Sequence, residues 1–262
     1  MPLHVAFLFP IFLVLMNSFK NKLYISDAPF ALPNSDTFSG MYNYVNGIQK
    51  TGLLVAAGRS AFITICSVIV IVLLTSMAAW WITRVTCKLS TVLYYLFVFA
   101  MIVPFQMVMF TLSKVTDFLH LGNMFGIIPV YLGFGAGLSL FMFCGFIKAI
   151  PISLEEAAMI DGCTPVQTYF KVIVPMLRPT MITVAILNAM WIWNDYLLPT
   201  LVLDSEKPTI PMAVQYLRGG YGSIDMGAMM AMLVLAILPI IVFYLTCQKY
   251  IIKGVAAGAV KG

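Results

Sequence analysis

Several separate stretches of this chain are each apolar for about the 20 residues that an α-helix needs to cross a bilayer. They lie at about 3–18, 60–83, 93–112, 127–147, 180–203 and 227–247. In hydrocarbon every backbone N–H and C=O must be paired internally, so only helices or a closed barrel can span. Runs this long and uniformly apolar lack the alternation of barrel strands. The sequence therefore predicts an all-α polytopic membrane protein with six transmembrane helices, folded as a single transmembrane domain over 1–262. The first run ends in Asn17-Ser18-Phe19-Lys20 with no basic leader or small-residue cleavage pattern, and is read as a retained helix.

Charge agrees with this reading. Only 10% of residues are charged, against roughly 25% in an average soluble domain. The net charge of +5 is spread over short connections and gathers on no face, which argues against nucleic acid and for a topological role. With both ends cytoplasmic, the inner connections hold Arg84, Lys88, Lys148, Lys171, Arg178, Lys249, Lys253 and Lys261. The longer outer ones hold the remaining basic residues together with Asp27, Asp36, Asp117, Asp204, Glu206 and Asp225. The five cysteines have no CxxC spacing and His4 and His120 lie far apart, so no metal site and no cofactor is expected.

Pro104, Pro129, Pro199 and Pro239 fall within or at the ends of spans and invite bends. Gly126, Gly133, Gly135, Gly137 and Gly145 in the fourth span suit close helix packing. Residues 17–59 read as an irregular outer segment with a short helix near 42–49.

Residues 148–179 are too polar to cross the membrane and carry capping signals. Ser153 with Glu156 fits a capping box, predicting a helix from Leu154 that stops at Gly162. Thr164 and Pro165 then start a second helix, which Val174-Pro175 should end. The first helix is expected to present the small Ala157 and Ala158 beside Glu155, Glu156 and Asp161 to a groove in another protein. On periodicity alone an interfacial helix lying on the membrane surface is the better fit.

Glu156-Ala157-Ala158, three residues, Gly162, nine residues, Val172, one residue and Val174-Pro175 resemble the EAA signature of binding-protein-dependent ABC importer permeases. Valine stands where that family usually has isoleucine and leucine. Asn17-Ser18-Phe19-Lys20, Pro104-Phe105-Gln106, Trp193-Asn194-Asp195-Tyr196 and the ending Gly258-Ala259-Val260-Lys261-Gly262 are similar to the carbohydrate-uptake branch, in its second permease subunit. The resemblance implies a multi-pass protein of the bacterial cytoplasmic membrane that moves a sugar, an oligosaccharide or glycoside. It makes Glu155, Glu156, Ala157, Ala158, Asp161 and Gly162 the ATPase-coupling interface. It also implies three partners: a second permease subunit, a cytoplasmic ATP-binding subunit dimer that the tail reaches into, and an extracytoplasmic solute-binding protein. The chain has no Gly-x-x-x-x-Gly-Lys-Ser/Thr loop, so ATP hydrolysis is expected on a separate chain and no catalytic residue is expected here.

In the fifth span Asn188, Trp191 and Asp195 are spaced i, i+3, i+7. With Asn194 they make a candidate translocation path, or equally a polar contact between helices. An ion-coupled secondary transporter would need paired ionisable groups within the spans, where only Asp195 is clearly placed, and a membrane enzyme would need a convergent catalytic set. An ABC permease for a non-sugar solute is the other alternative.

Overall fold

The computed structural model describes the backbone of residues 2–215, 217 and 225–259, and within those bounds the side chains from 7 to 248. It is helical, and among the described residues it forms no β-strand beyond an isolated bridge between Lys20 and Phe38. In chain order the helices are α1 (Pro2–Asn17), α2 (Lys22–Asp27), α3 (Tyr42–Thr51), α4 (Leu53–Arg84), α5 (Lys88–Ile102), α6 (Phe105–Phe118) and α7 (Ile127–Ile147). There follow α8 (Ser153–Ile160), α9 (Pro165–Thr168), a π-helical turn Tyr169–Ile173, α10 (Val174–Asn194), α11 (Leu197–Val202), α12 (Ile210–Gln215) and α13 (Met226–Ala259).

Among the described residues four stretches are long and apolar enough to cross a bilayer: Leu53–Arg84, Ile127–Ile147, Pro165–Asn194 and Met226–Gln248. The expected count of six spans is not confirmed: by length and composition the described residues give four, or five if a bent pair is one span. The first run is a shorter helix. The third is two helices, α5 and α6, bent by 105°. Val103 before Pro104 is extended (φ −69°, ψ 119°), because the proline ring disfavours helical backbone in the residue ahead of it. The fifth breaks after Asn194, while Pro199, in the first turn of α11, is tolerated where its missing N–H has no helical partner to lose.

The chain forms two compact units, one of residues 1–61 with 195–245, the other of 62–194 with 246–262. In the first, the Asn17-Ser18-Phe19-Lys20 stretch is tied down by buried polar groups. Asn17 Nδ2 donates to Leu13 O and Pro29 O, both at 2.9 Å, and Lys20 Nζ to Ala28 O at 2.8 Å. Ser18 Oγ and the Tyr44 hydroxyl lie 2.7 Å apart, and Asn43 Nδ2 donates to Ser18 O and Lys20 O. Residues 17–59 are thus more ordered than their sequence predicts. Lys50 Nζ meets Asp225 Oδ2 at 2.6 Å, and Asp225 Oδ1 accepts from Ala228 N in the first turn of α13. Burial pushes the Asp225 carboxyl up, but the bonds from Lys50, Ala228 and Asn46 outweigh it and leave the pKa below the usual 3.8.

The second unit is built around α7, whose Leu140, Phe143, Cys144 and Ile147 share a core with Val72 and Ala79 of α4 and with Tyr169, Ile173 and Leu177. A Cβ on Gly137 would lie 2.8 Å from Phe97 O, and one on Gly135 2.7 Å from the Ile71 side chain, so these two glycines set how closely α5 and α4 approach α7. A Cβ on Gly133 or Gly145 would meet no other atom of the chain, so close packing within it does not explain them. Gly137→Val should therefore destabilise the protein by about 1–3 kcal/mol. Gly145→Ala should stay within about 0.5 kcal/mol of wild type. Thermal unfolding of the detergent-purified protein measures both.

Candidate functional site

The segment between α7 and α10 folds as two short helices around a tight turn. Gly162 takes φ +85°, the left-handed conformation expected of a glycine that ends a helix, with Asp161 as the C-cap of α8. Thr164 caps α9 through Gln167 N, Gln167 returns a bond to Thr164 N, and Pro165 opens the helix. That second box was signalled by Gln167, three residues after Thr164, which sequence reasoning passed over.

Two local expectations fail. Ser153 and Glu156 form no capping box: α8 begins at Ser153, and Ile152, itself in helical conformation, takes the cap position without a side-chain bond. Residues already turning helically before Ser153 leave its hydroxyl no cap to make. Nor does Val174-Pro175 end the second helix. The chain widens into the π turn and runs on as α10, and this extra residue in the turn accommodates the donor that Pro175 lacks.

The candidate coupling residues divide between two faces of α8. Glu156 and Ala157 are exposed, as are Asp161 and Gly162 at its end. Around them stand Met159, Ile160 at 86% exposure, and Val166. Glu155 and Ala158 instead turn inward, at 4% and 8% exposure. Glu155 Oε1 accepts from Arg84 Nε at 2.7 Å, with Arg84 Nη2 at the same distance, and Oε2 accepts from Trp80 Nε1 at 2.9 Å. Arg84 Nη2 also donates to Ile150 O, at 2.9 Å. One turn higher on α4, Ser76 Oγ lies 2.6 Å from the hydroxyl of Tyr169, whose ring sits 5.5 Å from that of Trp80. Ser76, Trp80 and Arg84 are spaced i, i+4, i+8, a polar stripe readable in the sequence but passed over there. Beyond it, in the short connection to α5, the exposed Cys87 thiol has its pKa lowered chiefly by the bond from Ser90 N–H.

The candidate path residues do not all lie on one helix. Asn188 is buried, its amide donating to Ser139 Oγ at 3.1 Å and Val184 O at 2.9 Å beside Gly135. Trp191 is partly exposed with its ring edge-on to Tyr131, and the exposed Asn194 donates to Met190 O. Asp195 does not continue their helical face. It follows the end of α10, belongs to the other compact unit, and its Oδ1 accepts from Leu197 N and Leu198 N at the start of α11.

Residues 71–257 match the family described as binding-protein-dependent transport system inner membrane component. The chain is 38% identical over 260 residues to the probable starch degradation products transport system permease protein AmyC of Thermoanaerobacterium thermosulfurigenes, covering 99% of this chain and 93% of that protein. It is 37% identical to the multiple sugar-binding transport system permease protein MsmG of Streptococcus mutans, covering 98% and 93%. In fold it is similar to a solved bacterial ABC transporter involved in the import of the acidic polysaccharide alginate, with a TM-score of 0.78, 22% identity and coverage of 95% of this chain and 92% of that one. With a multi-pass helical fold and a family match over most of its length, this chain belongs to the binding-protein-dependent transport system inner membrane components, the translocation subunits that work with the other components of ABC transporters.

Proposed function

We propose that this chain is one permease half of an ATP-driven importer in the bacterial cytoplasmic membrane, and that its cargo is a sugar, an oligosaccharide or glycoside. One observation supports the reading most: α8 stands between two span-length helices with Glu156, Ala157, Met159 and Ile160 exposed on one face, while its other face is anchored by Glu155. An apolar patch edged by a carboxylate suits docking on a partner better than a solvated loop. Glu156, Ala157, Asp161 and Gly162 form the docking surface in this reading, and Glu155 and Ala158 hold it from behind. The ATP-binding subunit dimer seats here, a second permease subunit completes the membrane path, and a solute-binding protein delivers the sugar outside. The role of the tail from 249 onward lies outside the described side chains.

The sugar assignment draws on AmyC and MsmG, and on a diacetylchitobiose uptake system permease in Streptomyces coelicolor. The test is uptake of labelled maltotriose, raffinose, diacetylchitobiose and glutamine by membranes containing the chain with its ATPase, sister permease and binding protein. Import of a saccharide and not of glutamine is expected, and import of glutamine alone overturns the assignment. Within the path, Trp191 and Asn194 are the exposed groups that suit sugar contact, whereas Asn188 joins helices. Trp191→Ala should raise the uptake KM severalfold, while Asn188→Ala should lower the amount of folded protein.

Orientation has its own test. Membrane-impermeant maleimide should label Cys163 and the exposed Cys87 only after cells are permeabilised. Labelling of either in intact cells reverses the topology.

A further inference from the structure

The Ser76–Trp80–Arg84 stripe does more than fill space. Each of its three rungs ends on the coupling segment, and together they reach both of its parts: Glu155 in α8 from Trp80 and Arg84, and Tyr169 in the π turn from Ser76. Arg84 adds a bond to Ile150 O, just ahead of α8. The exposed face of α8 makes none of these contacts. A push received on Glu156 and Ala157 therefore has a rigid polar route into α4, separate from the covalent route through α9 into α10.

The geometry points to Glu155, Trp80, Arg84 and Ser76 as positioning residues that lock the coupling segment to α4, so that this span moves as one body with α8 when the ATP-binding subunits move. The inference rests on the coupling role proposed above. Glu155 is buried beneath the exposed face of α8 and acts through Arg84 and Trp80. Its carboxylate accepts two N–H bonds, from Arg84 Nε and Trp80 Nε1 one helical turn apart, and is ion-paired to Arg84 Nη2, so sliding α8 along α4 breaks charge-assisted bonds rather than slack apolar contacts. Discrete bonded arrangements of this kind are what transmit a switch over distance.

The experiment uses the whole importer in proteoliposomes, with ATP hydrolysis read with and without the binding protein loaded with whichever of maltotriose, raffinose or diacetylchitobiose the intact complex imports. Trp80→Phe keeps the ring and deletes only the indole N–H. Glu155→Gln keeps the shape and deletes the charge. Both complexes should retain the ATPase in normal amounts, yet stimulation of hydrolysis by the loaded binding protein should fall about fivefold for Trp80→Phe and about tenfold or more for Glu155→Gln, with transport falling in step. Glu155→Asp should restore part of it. If instead stimulation and transport per assembled complex stay at wild-type values, and only complex yield or melting temperature drops, the stripe is structural and the inference is overturned. Should Glu155→Gln not assemble, Trp80→Phe decides. A parallel Ala157→Trp complex separates this from the underlying reading: if it too binds the ATPase and transports normally, the coupling assignment of α8 fails as a whole.

Discussion

Ala157→Trp should reduce co-purification of the ATP-binding subunit by roughly tenfold or more and bring uptake to background, while the chain still inserts and pairs with its sister permease. Ala157 is exposed at the centre of the α8 face, next to Glu156 and with Met159 and Ile160 beyond it, so an indole there projects outward and disturbs nothing inside the chain. The neighbouring Ala158→Trp has the opposite character. Ala158 is buried, so the larger side chain overfills the chain's own interior at a cost of about 1–3 kcal/mol and should lower expression before docking is tested at all. Gly162 is a third case. No atom would meet a Cβ there, so Gly162→Ala acts through the +85° φ alone, at about 1–2 kcal/mol, and should loosen the end of α8. Pull-down of the ATPase from membranes matched for chain content separates the three. Retention at wild-type levels with Ala157→Trp removes α8 as the docking element.

The contrast between adjacent alanines shows what the sequence left hidden. The glycine after α8 and the Thr164-Pro165 start are local signals, and each is realised because a single φ value or a cap decides it. Which side of a two-turn helix faces inward is decided by a partner 71 residues away, the Arg84 side chain that captures Glu155. Spacing within 153–162 carries no trace of that partner. The fifth span failed for a related reason: its composition stays apolar through 203, but Asp195 turns its carboxylate onto Leu197 N and Leu198 N and starts a new helix there. An aspartate two and three residues ahead of the first amides of a helix is a cap signal, masked here by the hydrophobic residues around it. The bend at Pro104 was legible as a bend, and only its angle of 105° was not.

Arg84→Met should be the most damaging change in the second unit for stability itself. The Arg84 side chain is 17% exposed and that of Glu155 5%, so removing the guanidinium leaves a carboxylate held by Trp80 Nε1 alone in a site largely closed to water. Breaking such a pair from one side costs about 3–5 kcal/mol, far more than the pair itself contributes, because the remaining charge is neither solvated nor neutralised. The double variant Arg84→Met with Glu155→Leu removes both charges and replaces them with apolar volume, so most of the loss should return, to within about 1–2 kcal/mol of wild type. Function should not return with it. The repacked double variant lacks the directional bonds to α8 and Ile150 O, and it should fold and bind the ATPase while importing poorly. Unfolding of a variant whose only thiol is the buried Cys144, followed by a thiol-reactive dye in detergent, reports the stability half of this prediction. A single Arg84→Met change that melts like wild type would show that Glu155 finds another partner, and the ion pair would then hold neither the fold nor the coupling segment.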